Sequence, residues 1–191
     1  IYEKYAIPEN RKLVFFTPTF RIKGLTRYYD MKIDINNLDS HLDDKNYFMI
    51  TKRHHVFTDT SLFMQQSGVT DSTNGYFRVS VDDSFIELVC AADIFMTDYS
   101  SGLFYATLLR LPLVLYAPDM DEYRSGPNGF MINYPADIPA QFVGKPDIDA
   151  LLSAFDAALA TDLSEKYEAF RQRHVGACDG RATERVVAYI D

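Results

Sequence analysis

The chain has 191 residues, 47% of them hydrophobic, and a formal net charge of −8. That length and apolar content suit one compact domain with a sizeable core and exclude a disordered chain, while the negative field repels nucleic-acid backbones and anionic lipid. Cys90 and Cys178 stand in no metal-ligand spacing, no stretch reaches the roughly 20 apolar residues of a membrane span, and the N-terminus lacks a signal-peptide pattern. A reducing, cytoplasmic setting without a transmembrane segment is expected, and the absence of an initiator Met at Ile1 points to a piece of something longer.

Leu13-Val14-Phe15-Phe16-Thr17 reads as a buried strand closed by Pro18, with Thr17, Thr19 and Arg21 in the loop that follows. A helix is expected from about Ile33 to His41, then a second strand, Tyr47 to Ile50, running into Lys52-Arg53-His54-His55. Turn residues from Thr70 to Gly75 precede a brief strand, Tyr76 to Val79. Asp82 or Asp83 can cap a helix whose apolar face is Phe85, Ile86, Leu88, Val89 and Ala92. Ile94-Phe95-Met96 is the next strand, Ser100 to Arg110 the next helix, and Pro112 to Tyr116 another strand.

Downstream, Asp119 to Gly129 reads as an irregular loop and Phe142-Val143 as an edge strand. Pro146 suits the first turn of a helix carrying Ile148, Leu151, Leu152, Phe155 and Leu159. Two further helices, Ser164 to His174 and Arg181 to Ile190, close the chain, the last with Val186, Val187 and Ile190 as its packing face. Strands alternating with helices describe βαβ units, hence an α/β fold with a doubly wound, mostly parallel, Rossmann-like sheet. Residues 1–191 form a single domain in this reading, with helices from about 146 to 191 packing on it.

In such sheets ligands bind at the carboxyl ends of the strands, where helix N-termini present unpaired N–H groups. Thr97-Asp98-Tyr99-Ser100-Ser101 occupies such an end. The two serines add hydroxyl donors suited to phosphate, while Asp98 would repel it and is expected to turn away and hold the turn. The same residues also suit a plain N-cap. Lys52, Arg53, His54 and His55 follow a second strand and open onto the same edge if the two strands are parallel. They could clamp a diphosphate, or form a solvated basic loop.

From Ala92 through Ser101 the sequence resembles the Ala-Asp, apolar strand, Ser/Thr-Asp-Tyr-Ser-Ser motif of the CDP-glycerol glycerophosphotransferase family, the enzymes that polymerise teichoic acid. Phe16 to Arg21 is similar to the family's Ala-Pro-Thr-Phe-Arg loop, and Lys52-Arg53-His54 to its Arg-x-His. Asp121-Glu122-Tyr123-Arg124 with Gly129-Phe130 resembles its Glu-Tyr-Arg and Arg-Gly-Phe region, and Asp179 to Val186 its closing Asp-Gly-x-Ala-Ser-Glu-Arg-Val helix.

The resemblance implies the C-terminal, donor-binding half of a GT-B transferase that moves glycerol phosphate from CDP-glycerol, or another CDP-alditol, to a polyol-phosphate or glycan acceptor. The acceptor would be held by an N-terminal domain absent from this chain. No metal or other cofactor is implied. His54 is the implied catalytic residue at the donor phosphates. Thr17, Thr19, Arg21, Lys52, Arg53, Asp98, Ser100, Ser101, Glu122 and Arg124 are the implied substrate-binding positions, Asp98 by ordering the turn. The full-length protein would be cytoplasmic or peripheral at the inner face of the membrane.

Departures accompany the match. The family's His-Gly-Thr motif is absent, so this chain alone is expected to be inactive. His55 replaces the usual Pro, Lys52 the usual Arg, and Ile138-Pro139-Ala140 a common Pro-Gly-Pro. A lysine meets phosphate as a point charge without the bidentate fork.

Three rival readings remain. Ser100, Asp119 and His174 follow the chain order of an α/β-hydrolase triad, although Asp98 stands where the nucleophile elbow needs Gly. A glycosyltransferase or epimerase using a UDP- or GDP-sugar would share the phosphate crevice, with Glu122 on the ribose. A non-catalytic binding module would use some of the 13 Tyr and 14 Phe residues for association.

Overall fold

The structure, a computed structural model, describes residues 1–23, 26–28, 31–52, 71–80, 82–126 and 130–190, and of 22–23 and 26–28 the backbone. Six strands form its main sheet: β1 (Lys12–Thr17), β4 (Tyr47–Lys52), β5 (Phe77–Ser80), β6 (Ile94–Thr97), β7 (Leu113–Tyr116) and β8 (Gln141–Val143). They lie in the order β5-β4-β1-β6-β7-β8, and every neighbouring pair is parallel. A separate antiparallel ribbon, β2 (Arg21–Lys23) with β3 (Thr26–Tyr28), follows β1. The polar sequence there gives no alternating pattern, and the ribbon was not expected.

Period-2 alternation explains how the sheet is covered on both faces. Val14 and Phe16 of β1, Tyr47 and Met49 of β4, and Val114 and Tyr116 of β7 share one core. That core packs on α2 (Ile35–Asp44) and α6 (Ile148–Ala160). Leu13 and Phe15, Phe48 and Ile50, and Leu113 and Leu115 share the other core, with α3 (Phe85–Ala91), α4 (Leu103–Leu109) and α7 (Ser164–Val175). Local chemistry sets several ends: Asp34 caps α2 by accepting from the Asn37 amide at 2.7 Å, and Asp147 caps α6 through Ala150 at 2.9 Å. Pro146 therefore precedes the cap of α6 rather than opening its first turn.

A buried carboxylate organises the approach to β5. Asp39, fully buried on α2, accepts from Ser72 Oγ at 2.5 Å and from the amides of Asn74, Tyr76 and Phe77 at 2.8, 2.8 and 3.1 Å. One side chain thus satisfies a turn that has no ladder of its own.

Three further expectations need correction. Neither Asp82 nor Asp83 caps α3: Ser84 holds that position without a side-chain bond. Asp83 instead accepts from Lys4 Nζ at 2.7 Å, Tyr5 Oη at 2.5 Å and Ser80 Oγ at 2.8 Å. It thereby fastens the short N-terminal helix α1 (Tyr2–Tyr5) to the sheet. The next helix begins at Leu103 rather than Ser100, because Ser100 to Gly102 form the turn that enters it. Part of the expected loop after β7 is a short helix, α5 (Met120–Arg124), held by stacking of Tyr123 on Tyr99 at 3.8 Å between ring centroids.

The last helix, α8 (Ala182–Ile190), has no buried residue, and Val186, Val187 and Ile190 are 57%, 52% and 76% exposed rather than packed. Among the described residues its side-chain bonds are local, Arg181 to Glu184 and Arg185 to Asp179 and the Ala177 carbonyl.

Candidate functional site

The sheet order places a topological switch point between β1 and β6: the chain winds outward from β1 to β4 and β5, then returns to β6 on the other side. Loops leaving the carboxyl ends of such a pair diverge and open a crevice, the site at which open α/β sheets hold ligands. The segments meeting there are Thr17 to Arg21 and Thr97 to Gly102.

Asp98 is 0% exposed and is turned into the protein. Its Oδ1 accepts from the amides of Thr19 at 2.8 Å and Tyr99 at 2.5 Å, and its Oδ2 pairs with Arg21 Nη1 at 2.9 Å. Arg21 also grips Asp119 with two bonds, Nε to Oδ2 at 2.6 Å and Nη2 to Oδ1 at 2.9 Å, and donates to the Thr19 carbonyl. Asp119 accepts a further bond from Tyr99 Oη at 3.0 Å. The guanidinium lies over the rings of Tyr99 and Tyr123, 4.9 and 5.2 Å from their centroids.

One arginine therefore ties the loops after β1, β6 and β7. Burial would lower its pKa, but Asp119 and Asp98 raise it, so it stays charged. Asp119 is held below the usual carboxylate range because the bonds from Arg21 and Tyr99 outweigh burial. Burial pushes the Asp98 carboxyl up, against the opposing pull of Arg21 and the Thr19 amide. Both Asp98 oxygens face donors, which the ionised form fits.

The two serines are left at the surface of this frame. Ser100 Oγ accepts from the Gly102 amide at 3.1 Å, while the Ser100 and Ser101 N–H groups and the Ser101 hydroxyl take no partner among the described residues. Gly102 allows the turn to sit close: a Cβ there would meet Phe95 Cζ at 3.0 Å and both Ser100 Oγ and Thr17 Oγ1 at 3.3 Å.

The remaining positions divide between the frame, the sheet edge and the surface. Thr17 is buried, and its carbonyl accepts from Thr97 Oγ1 at 2.7 Å. Thr19 gives its amide to Asp98, while its hydroxyl is buried without a partner among the described residues. Lys52 ends β4 opposite Ser80, on the same carboxyl edge of the sheet. Arg53 and His54 lie outside the described residues. Glu122 and Arg124 are exposed on α5, where Arg124 reaches Asp121 at 4.0 Å and covers the Phe130 ring.

Sequence reasoning assigned no role in this network to Asp119, Tyr99 and Tyr123. Asp119 follows a central strand at its carboxyl end, a signal available from topology alone. The triad alternative finds no support: Asp119 is engaged by Arg21 and Tyr99, and the His174 ring packs against Phe104 and Phe170. Among the described residues, no three His, Cys, Asp or Glu side chains gather as a metal site.

Comparison with known proteins gives this geometry a family. The model of the CDP-glycerol:poly(glycerophosphate) glycerophosphotransferases matches residues 1–191. The chain is 28% identical over 196 residues to a teichoic acid glycerol-phosphate transferase of Staphylococcus aureus, covering 100% of this chain and 48% of that protein. It is 26% identical over 190 residues to a teichoic acid ribitol-phosphate primase of Bacillus spizizenii, covering 99% and 46%.

A solved structure of the wall teichoic acid polymerase TagF with CDPG superimposes with a TM-score of 0.69 at 26% identity, over 99% of this chain and 43% of that one. The fold held in common is the Rossmann-like unit of the GT-B type. The chain thus spans less than half the length of these relatives. A model match over every residue, carried on a sheet whose switch point bears the motif turn, shows that the chain belongs to the CDP-glycerol:poly(glycerophosphate) glycerophosphotransferase family.

Proposed function

We propose that this chain is the donor-binding domain of a transferase that adds glycerol phosphate, or a related alditol phosphate, from a CDP-activated donor to a cell-wall or capsule polymer. The observation that carries the reading is the Ser100–Ser101 turn. It sits at the switch point with its N–H groups open, beside the buried Asp98 carboxylate that Arg21 holds turned inward.

The donor diphosphate lies against the two serines, whose hydroxyl and amide groups point donors at it without bulk. Arg21 and Asp98 fix the turn in place, so the donors do not reorganise as charge builds on the departing CMP. Lys52 stands at the same edge, and Arg53 and His54 follow it in sequence, His54 being the residue proposed to stabilise the leaving group. The acceptor hydroxyl would be brought to the phosphorus by a part of the protein beyond this chain. A nucleotide-activated donor places the reaction in the cytoplasm, with the full-length protein peripheral at the inner face of the membrane. Among the described residues no helix is long and apolar enough to cross a membrane.

Calorimetric titration with CDP, UDP and GDP tests the reading. CDP is expected to bind in preference to the other two, and Ser100→Ala with Ser101→Ala should weaken it by about 1–3 kcal/mol through lost charge-assisted hydrogen bonds. Unchanged CDP affinity in the double variant would sink the turn as the donor site, and a clear preference for UDP would move the domain to the sugar-nucleotide class.

A further inference from the structure

Beside the switch point, the ends of β7 and β8 border an open cavity of about 400 Å³, within the roughly 300–1,000 Å³ typical of small-ligand sites. Ala117, Met120 and Phe142 give it apolar surface, and Lys32, Asp119, Asp121 and Glu122 its charged groups. The segment bearing Lys32 is anchored: buried Tyr116 donates its hydroxyl to the Met31 carbonyl at 2.6 Å, beside the end of β7. Lys32 itself has φ of 60°, a conformation a non-glycine residue keeps only where its surroundings hold it.

Asp119 belongs both to this cavity and to the donor turn. It lines the cavity while accepting from Arg21 and from Tyr99, the neighbour of Ser100. Arg21 is shared between Asp119 and Asp98 and offsets only one of their two charges, so the cavity presents Asp119, Asp121 and Glu122 against Lys32. That balance disfavours a phosphate but suits hydroxyl groups, which donate to carboxylates and accept from an ammonium. An exposed aromatic ring such as Phe142 can cover the C–H face of a polyol. Neighbouring strands lie about 4.8 Å apart, so the cavity is one to two strand spacings from the turn after β6, within reach of a short polyol beyond its phosphate.

Resting on the donor reading above, we infer that this cavity is the subsite for the donor's alditol. Its hydroxyls donate to Asp121 and Glu122 and accept from Lys32, while the diphosphate occupies the serine turn. The cavity thereby reads which alditol is transferred, separately from the groups that hold the nucleotide.

Titrations of the chain with CDP and with CDP-glycerol, in wild type and in Asp121→Asn with Glu122→Gln, test this. Both side chains are on exposed residues, and an unchanged thermal midpoint verifies that the variant folds. Wild type should bind CDP-glycerol about tenfold more tightly than CDP, the worth of a hydrogen bond to a charged acceptor, and the variant should lose that difference. CDP affinity should stay level or rise, because removing carboxylates favours any phosphate ligand.

Equal weakening of CDP and CDP-glycerol would put the cytidine in the cavity and overturn the assignment, as would a variant that keeps the full difference. Weakened binding of a short poly(glycerol phosphate) oligomer, with CDP-glycerol untouched, would transfer the cavity to the acceptor. A wild type that binds CDP without favouring CDP-glycerol refutes the subsite alone, whereas absence of affinity for either overturns the donor reading first.

Discussion

Arg21 shows how a residue type can be legible while its task is not. Its place after the first strand suggests a phosphate ligand, yet its partners are Asp98 and Asp119, 77 and 98 residues downstream. Nothing local in the sequence says which distant carboxylates will converge on it. Asp98 was easier to read: a carboxylate at a turn expected to meet phosphate would be repelled unless it faced inward, and it does face inward. Arg21→Lys retains the charge but cannot supply the fork to Asp119 and the bond to Asp98 together. Chemical denaturation should show a loss of about 2–4 kcal/mol, since breaking one arm leaves a buried carboxylate short of a donor. A change within about 0.5 kcal/mol, the usual range for an inconsequential surface substitution, would mean that the network does not hold the loops together.

At the scale of elements, the sheet was readable because a parallel strand covered on both faces is apolar along its length, as Leu13 to Phe16 and Leu113 to Tyr116 are. The β2–β3 ribbon and α5 were not, since they are short and α5 draws its packing from a distant ring on Tyr99. Asp83 is another element-level surprise: it joins α1 to the loop before α3 instead of capping that helix. Three donors, from Lys4, Tyr5 and Ser80, overcome burial and bring its pKa down from 3.8 to about 2. A depressed carboxylate stabilises the fold above its unfolded value and loses that contribution as pH falls through its folded one. The thermal midpoint should therefore drop between about pH 4 and pH 2, and the part of that drop due to Asp83 should vanish in Asp83→Asn. Equal acid sensitivity in both proteins would remove Asp83 from the account.

For the whole molecule, the decisive feature is the order in which strands are laid down, because the reversal between β5 and β6 creates the crevice that the motif turn occupies. The order could not be read from the sequence: alternating strands and helices fit several parallel sheets, and only pairing selects one. The expected packing of the last helix failed for a related reason. An apolar stripe says that a surface wants cover, not which surface covers it, and in this chain Val186, Val187, Tyr189 and Ile190 stand in water. That arrangement has a colloidal consequence. A net charge of −8 keeps copies of the chain apart at low ionic strength, whereas salt shortens the reach of their repulsion without weakening attraction between oily faces. Light scattering should find a single small species in dilute buffer and growing assemblies as salt is added. Val187→Asp with Ile190→Asp should suppress the growth while leaving the thermal midpoint where it was, and persistent assembly in that variant would clear α8 of responsibility. Suppressed growth, in contrast, would make the helix at the end of the chain the feature that sets the conditions under which the isolated domain can be handled.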